Sequence, residues 1–125
     1  MSQIKTFNDI LAWQKAHNLV LQVYQLTNCF PPSEKYALAN QLRRAVVSVA
    51  SNIVEGFKRA SVKDSLHFYN VAEASLEEVK YQLLIAMDLK YINEEQYMDI
   101  KDAFDEAGKT LYGWIESQKS NAYLA

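Results

Sequence analysis

Apolar side chains recur three and four residues apart along most of the chain, which is the spacing of one face of an α-helix. Four such stretches predict helices over about 9–27, 34–56, 62–90 and 94–119. Long helices joined by short connections pack as antiparallel neighbours. The pattern therefore predicts one all-α domain over residues 1–125, an antiparallel up-down-up-down four-helix bundle.

Capping and breaking residues define the ends of the first two predicted helices. Asn8 or Asp9 can cap the first helix, and Pro31 ends it because proline lacks a backbone donor. Ser33 is predicted to cap the second helix. Gly56 is predicted to stop that helix, since glycine favours the position just after a helix.

The later helices begin at residue pairs with the spacing of a capping box. Ser61 with Asp64 opens the third helix, and Asn93 with Gln96 opens the fourth. We expect the chain after about Lys119 to fray, because terminal residues have few contacts to order them.

The second predicted helix is apolar on more sides than a bundle requires. Its apolar positions form two faces, one with Val46, Val49 and Ile53 and the other with Val47, Ala50 and Val54. One face packs in the bundle, and we expect the other to pack against a second copy. The alternative is one broad core stripe in a monomer. The expected oligomer interface comprises Val46, Val47, Ala50 and Val54.

Charge changes this picture because it is unevenly spread. The chain has a net charge of −2 and an isoelectric point of about 5.7, yet the second helix and the turn after it are locally basic, whereas the last helix is acidic. Basic side chains of this kind either solvate the surface and face acidic neighbours, or form a patch for an anionic partner. The candidate nucleic-acid-binding residues are Arg43, Arg44, Lys58, Arg59 and Lys63.

An ion pair is predicted between the second and third helices. Antiparallel packing places Arg43 or Arg44 near the acidic residues of the third helix, which are Glu73, Glu77 and Glu78. We expect a structural pair in which Arg44 meets Glu73 or Glu77. Breaking such a pair is costly only where it is buried.

No cluster of side chains predicts catalysis or metal binding. Di-iron bundles require two Glu-x-x-His motifs, whereas neither His17 nor His67 follows a glutamate by three residues. Cys29 is the single cysteine, which gives no disulfide or zinc site and suits a reducing cytoplasm. No stretch has the roughly 20 apolar residues that span a bilayer. We expect a cytoplasmic protein without enzymatic activity, metal or cofactor.

Four motifs in order resemble a known family. They are Phe7–Ala16 (FNDILAWQKA), Gln41–Ala45 (QLRRA), Ser51–Gly56 (SNIVEG) and Ala74–Glu78 (ASLEE). Together they resemble the four-helix bundle family of bacterial 23S rRNA intervening-sequence proteins, over nearly the whole chain.

This resemblance implies a ring-like homopentamer, encoded within insertions in bacterial 23S rRNA genes, in a family where many members have no established function. It also implies a relation to the accessory variability determinant of diversity-generating retroelements, a basic pentamer that binds nucleic acid and a reverse transcriptase. The family-pattern positions would act in helix pairing and in the turn after the second helix; they are Arg43, Arg44, Asn52, Glu55 and Gly56.

Two functions follow as expectations. The first is a non-enzymatic oligomer associated with RNA or DNA, ribosomal RNA in particular. An acidic chain opposes phosphate binding, but a pentamer would gather the basic residues of all copies on one face. The alternative is a protein-interaction scaffold without nucleic-acid binding.

Overall fold

Four long helices make up the bundle. The computed structural model describes residues 3–124, with side chains for residues 3–121; residues 1, 2 and 125 of the predicted domain lie outside this range. The helices are α1 (Leu11–Thr27), α2 (Leu38–Phe57), α3 (Val62–Asp88) and α4 (Glu94–Leu124). Within residues 3–124 there is no strand, and the predicted all-α class is confirmed.

Each helix packs on its two neighbours. α1 packs closely against α2 and α4, and α3 packs against the same two helices, whereas α2 and α4 lie diagonally across the bundle. The hydrogen bond of Ser48 to Ser75 and the approach of Gly56 to Tyr69 show that α2 and α3 run antiparallel. This arrangement is the predicted four-helix bundle.

The core is continuous along the bundle and takes a broad stripe from α2. Val46, Val49 and Ile53 are buried, and Ala50 is only 9% exposed. The prediction that Val46 and Ala50 form an oligomer interface is therefore wrong, because the chain's own core already covers them. Their burial favours the broad-stripe alternative for these two residues.

Two short 3-10 helices shift the starts of α1 and α2. The first, Phe7–Asp9, precedes α1, and the second, Pro32–Glu34, precedes α2. The Asp9 carboxylate accepts hydrogen bonds from the backbone N–H groups of Thr6 and Lys5, which hold the pKa of Asp9 below its usual value. The predicted cap at Asn8 or Asp9 is wrong for α1, because Asp9 serves this preceding turn.

The predicted second helix begins too early for a similar reason. Ser33 lies in the 3-10 helix, and α2 begins at Leu38. The Glu34 carboxylate accepts a hydrogen bond from the backbone N–H of Leu38 at 3.2 Å, so an acidic group satisfies a donor at the positive end of the helix dipole.

The later helix starts follow the predicted capping pairs. The Asp64 backbone N–H donates to Ser61 Oγ at 3.2 Å. Asn93 and Gln96 exchange two backbone-to-side-chain hydrogen bonds of 2.8 Å each. Both capping predictions are confirmed.

The ends of α3 and α4 differ from the prediction. α3 stops at Asp88, because Lys90 adopts a left-handed φ of 64°. The N–H of Tyr91 then reaches the carbonyl of Ala86, and that of Lys90 reaches Met87, a closure typical of helix ends. α4 remains helical to Leu124, past the fraying expected after Lys119.

Candidate nucleic-acid interface

The turn between α2 and α3 carries three exposed cations, Lys58, Arg59 and Lys63, which we call the basic turn. Arg59 forms a 2.7 Å ion pair with Glu55, so its charge is largely balanced. Among residues 3–121, neither Lys58 nor Lys63 lies within ion-pair distance of a carboxylate. These two lysines are therefore the cations of the turn with the most capacity to contact phosphate.

Arg43 joins α2 to α1 instead of lying open at the surface. Its Nε donates to Thr27 Oγ1 at 2.7 Å, and its Nη2 donates to Asn28 Oδ1 at 2.8 Å. The guanidinium also lies 4.8 Å from the ring centroid of Tyr24. Because these contacts occupy the half-buried Arg43, the structure gives it a role in helix pairing and removes it from the candidate interface.

Arg44 is exposed on the outer face of α2, beside Asn40, Val47 and Ser51 in a shallow groove. Fourteen positions separate it from Lys58, which corresponds to about 21 Å along a helix. Arg44 and the basic turn are thus two separate cationic positions in one chain. The sequence alone grouped them, but the helix keeps them apart.

The predicted pair of Arg44 with Glu73 or Glu77 is wrong. Both glutamates line a groove between α3 and α4, and Glu77 accepts a hydrogen bond from Lys80 at 2.8 Å. The side of α3 that meets α2 carries Ser75, which bonds to Ser48 at 2.8 Å. Two positions along a helix correspond to a rotation of about 200°, which turns the glutamates away from α2.

Gly56 has a structural role in the pairing of α2 with α3, whereas Asn52 bonds within α2. Gly56 is the penultimate residue of α2, so the predicted end of the helix is right to within one residue, although Gly56 does not adopt the left-handed φ of a glycine stop. Instead it admits the buried ring of Tyr69 against the α2 backbone. Asn52 Nδ2 donates to the carbonyl and the hydroxyl of Ser48 at 2.8 and 3.0 Å.

Two of the four residues of the predicted oligomer interface remain accessible. Val47 is 37% exposed and Val54 is half-buried. They lie on the outer face of α2 with Arg44 and Ser51, which are also exposed. This face is the part of the predicted oligomer interface that the fold leaves uncovered.

The acidic surface lies away from the basic turn. Lys101 bonds to Asp105 at 2.8 Å, which raises the pKa of that lysine, and Glu106 lies 3.9 Å from Lys15. The first half of α4 nevertheless exposes further carboxylates without an ion-pair partner among residues 3–121, namely Glu94, Glu95, Asp99 and Asp102. This half lies on the helix diagonal to α2, at the opposite end of the bundle.

Several contributors could not be read from the sequence. Tyr24, Thr27 and Asn28 hold Arg43 from positions 15 to 19 residues away, and no local spacing indicates such a contact. Phe68 lies under Arg59 with the guanidinium 4.3 Å from its ring centroid. The only available signal was that Phe68 falls beside the apolar stripe of α3. The helices of residues 3–124 contain no apolar stretch of the length that spans a bilayer.

Residues 8–113 match the sequence profile of the family described as 23S rRNA-intervening sequence protein. The chain belongs to this family. The resemblance carried by the four motifs is thereby confirmed for the 23S rRNA-intervening sequence proteins.

A solved structure supports the fold of this family member. It is a protein of unknown function from the S23 ribosomal protein family of Bacteroides thetaiotaomicron, with a TM-score of 0.77 and 24% sequence identity. The match covers 84% of this chain and 98% of the other. No curated protein is significantly similar in sequence. Family and fold are thus established.

Proposed function

We propose that this chain is a non-enzymatic, homo-oligomeric helical bundle that associates with nucleic acid, ribosomal RNA in particular, through the basic turn of each copy. The supporting observation is the placement of charge. Lys58 and Lys63 are exposed and have no carboxylate partner among residues 3–121, at the end of the bundle away from the acidic half of α4. Phosphate approaching this end meets attraction in spite of the acidic isoelectric point.

Assembly is part of the proposal because a single basic turn attracts nucleic acid only weakly. Glu55 and Asp64 lie in the same stretch as the three cations, so residues 55–64 carry one net positive charge per chain. Several copies on one nucleic acid raise the effective concentration of these charges. A homopentamer, as the resemblance implies, would present five such turns. The exposed Val47 and the half-buried Val54 support packing of α2 against another copy.

We also propose the finer relation to the accessory variability determinant of diversity-generating retroelements. That relative binds nucleic acid as a basic pentamer, whereas this chain is acidic overall, at an isoelectric point of about 5.7. Since phosphate contacts come from cations, binding here is confined to the end that carries the basic turn. The proposal places the protein in the cytoplasm, together with ribosomal RNA.

A protein-interaction scaffold is the second candidate function. Exposed apolar side chains on α3 favour it, since Tyr81 is 63% exposed and Val71 and Leu84 are more than one-third exposed. Apolar side chains at the surface often mark contacts with proteins. A partner protein retained in pull-downs by the oligomer, with no RNA retained, would support this candidate over the first.

Reversing the free lysines of the basic turn tests the nucleic-acid proposal. The Lys58→Glu/Lys63→Glu variant should bind labelled single-stranded RNA on the order of tenfold more weakly, or worse, because it replaces phosphate contacts by repulsion. Fluorescence anisotropy at low salt measures the affinity. Light scattering on the same samples checks that the mass of the assembly is unchanged.

The matched control is Lys35→Glu/Lys90→Glu, which changes the net charge equally at the other end of the bundle. Both lysines are exposed. This variant should retain nearly the affinity of the unmodified protein, because it leaves the basic turn intact. Equal losses in the two variants would contradict a localised interface and would indicate a response to net charge alone.

A further inference from the structure

The guanidinium of Arg59 is held in a fixed orientation at the surface. Glu55 pairs with it at 2.7 Å from one turn earlier in α2, and the Phe68 ring of α3 lies 4.3 Å from the guanidinium carbon. The Arg59 side chain still keeps 42% of its surface exposed. Phe68 therefore covers part of the guanidinium, and a large part of the Arg59 side chain stays open to solvent.

Further planar and cationic groups lie close to Arg59 in the sequence or against its aromatic neighbour Phe68. The exposed imidazole of His67 lies edge-to-face with Phe68, with ring centroids 5.3 Å apart. Lys58 precedes Arg59, and Lys63 opens the first turn of α3. A partly exposed guanidinium and an exposed imidazole thus share the Phe68 ring, close in sequence to two lysines that have no carboxylate partner among residues 3–121.

The chemistry of Arg59 favours stacking over phosphate binding. Glu55 balances its charge, which weakens its attraction for a phosphate group. A planar guanidinium can still stack on a nucleobase, as Arg planes and His rings do in proteins that recognise unpaired RNA. A base within a duplex is already stacked on its neighbours, so only an unpaired base can lie on this surface.

We propose that Arg59, supported by Phe68 and flanked by His67, is a stacking platform for an unpaired nucleobase. Lys58 and Lys63 contact the adjacent phosphates. The inference rests on the proposed function and specifies its ligand as single-stranded nucleic acid. It gives Arg59 a role distinct from that of the two lysines, although all three belong to the basic turn.

The test compares Arg59→Lys with the unmodified protein on three probes of one length. These are a single-stranded oligonucleotide, the same backbone with abasic sites in place of the bases, and the duplex. Lysine keeps the positive charge but has no plane to stack. Arg59→Lys should bind the base-bearing strand on the order of tenfold more weakly, given the usual worth of one stacked base. Its affinity for the abasic strand should be unchanged.

Two further variants separate stacking from other effects. Arg44→Lys makes the same chemical change on α2, away from the basic turn, and should leave the preference for the base-bearing strand intact. Phe68→Leu keeps an apolar side chain but removes the ring that orients Arg59, so it should reproduce the selective loss. Thermal unfolding of each variant shows whether the fold is preserved.

The outcomes distinguish this inference from the proposed function. If the unmodified protein binds all three probes equally and Arg59→Lys changes nothing, the stacking platform is wrong and the phosphate-binding proposal stands. Equal loss on the base-bearing and abasic strands would show that Arg59 acts through its charge, which also overturns the platform. No binding of any probe at low salt would overturn both.

Discussion

Replacing Gly56 with alanine will destabilise the bundle by about 1–3 kcal/mol, the usual cost of overpacking a core. A Cβ at this position would lie 2.8 Å from Cδ1 of Tyr69 and 3.0 Å from the Ser65 carbonyl oxygen. Neither neighbour can move easily, because Ser65 contributes backbone and the Tyr69 side chain is only 1% exposed. α2 and α3 would have to separate locally to admit one methyl group.

The surroundings of Tyr69 explain why a residue larger than glycine is not accommodated at position 56. Trp114 of α4 packs edge-to-face on the Tyr69 ring, with centroids 6.1 Å apart. Burial raises the pKa of the Tyr69 phenol, so the side chain stays neutral near neutral pH. The ring is fixed between α4 and the α2 backbone, and glycine is the residue that leaves room for it.

Gly113→Ala is the matched control for this prediction. Both glycines are helical, but a Cβ at Gly113 meets no atom within 4 Å. Alanine there should stabilise the protein by roughly 0.5–1 kcal/mol, the ordinary gain of alanine over glycine in a helix. Urea unfolding at one protomer concentration gives both values. A Gly56→Ala variant at least as stable as the unmodified protein would contradict the close packing of α2 on Tyr69.

Replacing Arg43 with methionine will cost about 1.5–3 kcal/mol of stability, the typical worth of hydrogen bonds to a charged group. The change removes the hydrogen bonds to Thr27 and Asn28 and the stacking on Tyr24. Thr27 is buried, and its hydroxyl still donates to the Val23 carbonyl. Its oxygen would lose the donor that Arg43 supplies.

A comparison at the next residue shows whether the loss is specific. Arg44→Met removes an equal charge from an exposed position and should change stability by less than about 0.5 kcal/mol. Arg43→Lys keeps the charge but has no planar group to bond Thr27 and Asn28 together, so it should recover only part of the loss. Chemical unfolding curves for the three variants give the ranking. Equal effects of Arg43→Met and Arg44→Met would contradict the assigned contact between α1 and α2.

The sequence predicted the helices better than it predicted their contacts. Apolar spacing identified four helices, and the capping pairs at Ser61 and Asn93 were right because such caps depend on residues three apart. The starts of α1 and α2 were misplaced because 3-10 turns use the same acidic and proline residues that cap α-helices. At the start of α2, the group that accepts a hydrogen bond from the Leu38 N–H is the carboxylate of Glu34, four residues earlier.

The candidate site required the three-dimensional structure. Arg43 and Arg44 are adjacent in sequence, yet one bonds to α1 and the other faces solvent, since neighbouring positions differ by about 100° around a helix. Glu77 lies two positions from Ser75, and the rotation of about 200° between them turns Glu77 away from α2. The burial of Val46 and the exposure of Val47 likewise depend on the width of the core stripe of α2. Local patterns do not fix these rotations, which follow from how all four helices pack.

The central claim is that the basic turn contacts phosphate, and a salt series on the unmodified protein tests it most directly. Affinity for single-stranded RNA, measured by anisotropy, should fall linearly with salt on logarithmic axes. With Lys58 and Lys63 of at least one copy engaged, the slope should be about −1.4 or steeper. Absence of binding even at low salt would contradict the account and leave the protein-interaction scaffold as the better function for this bundle.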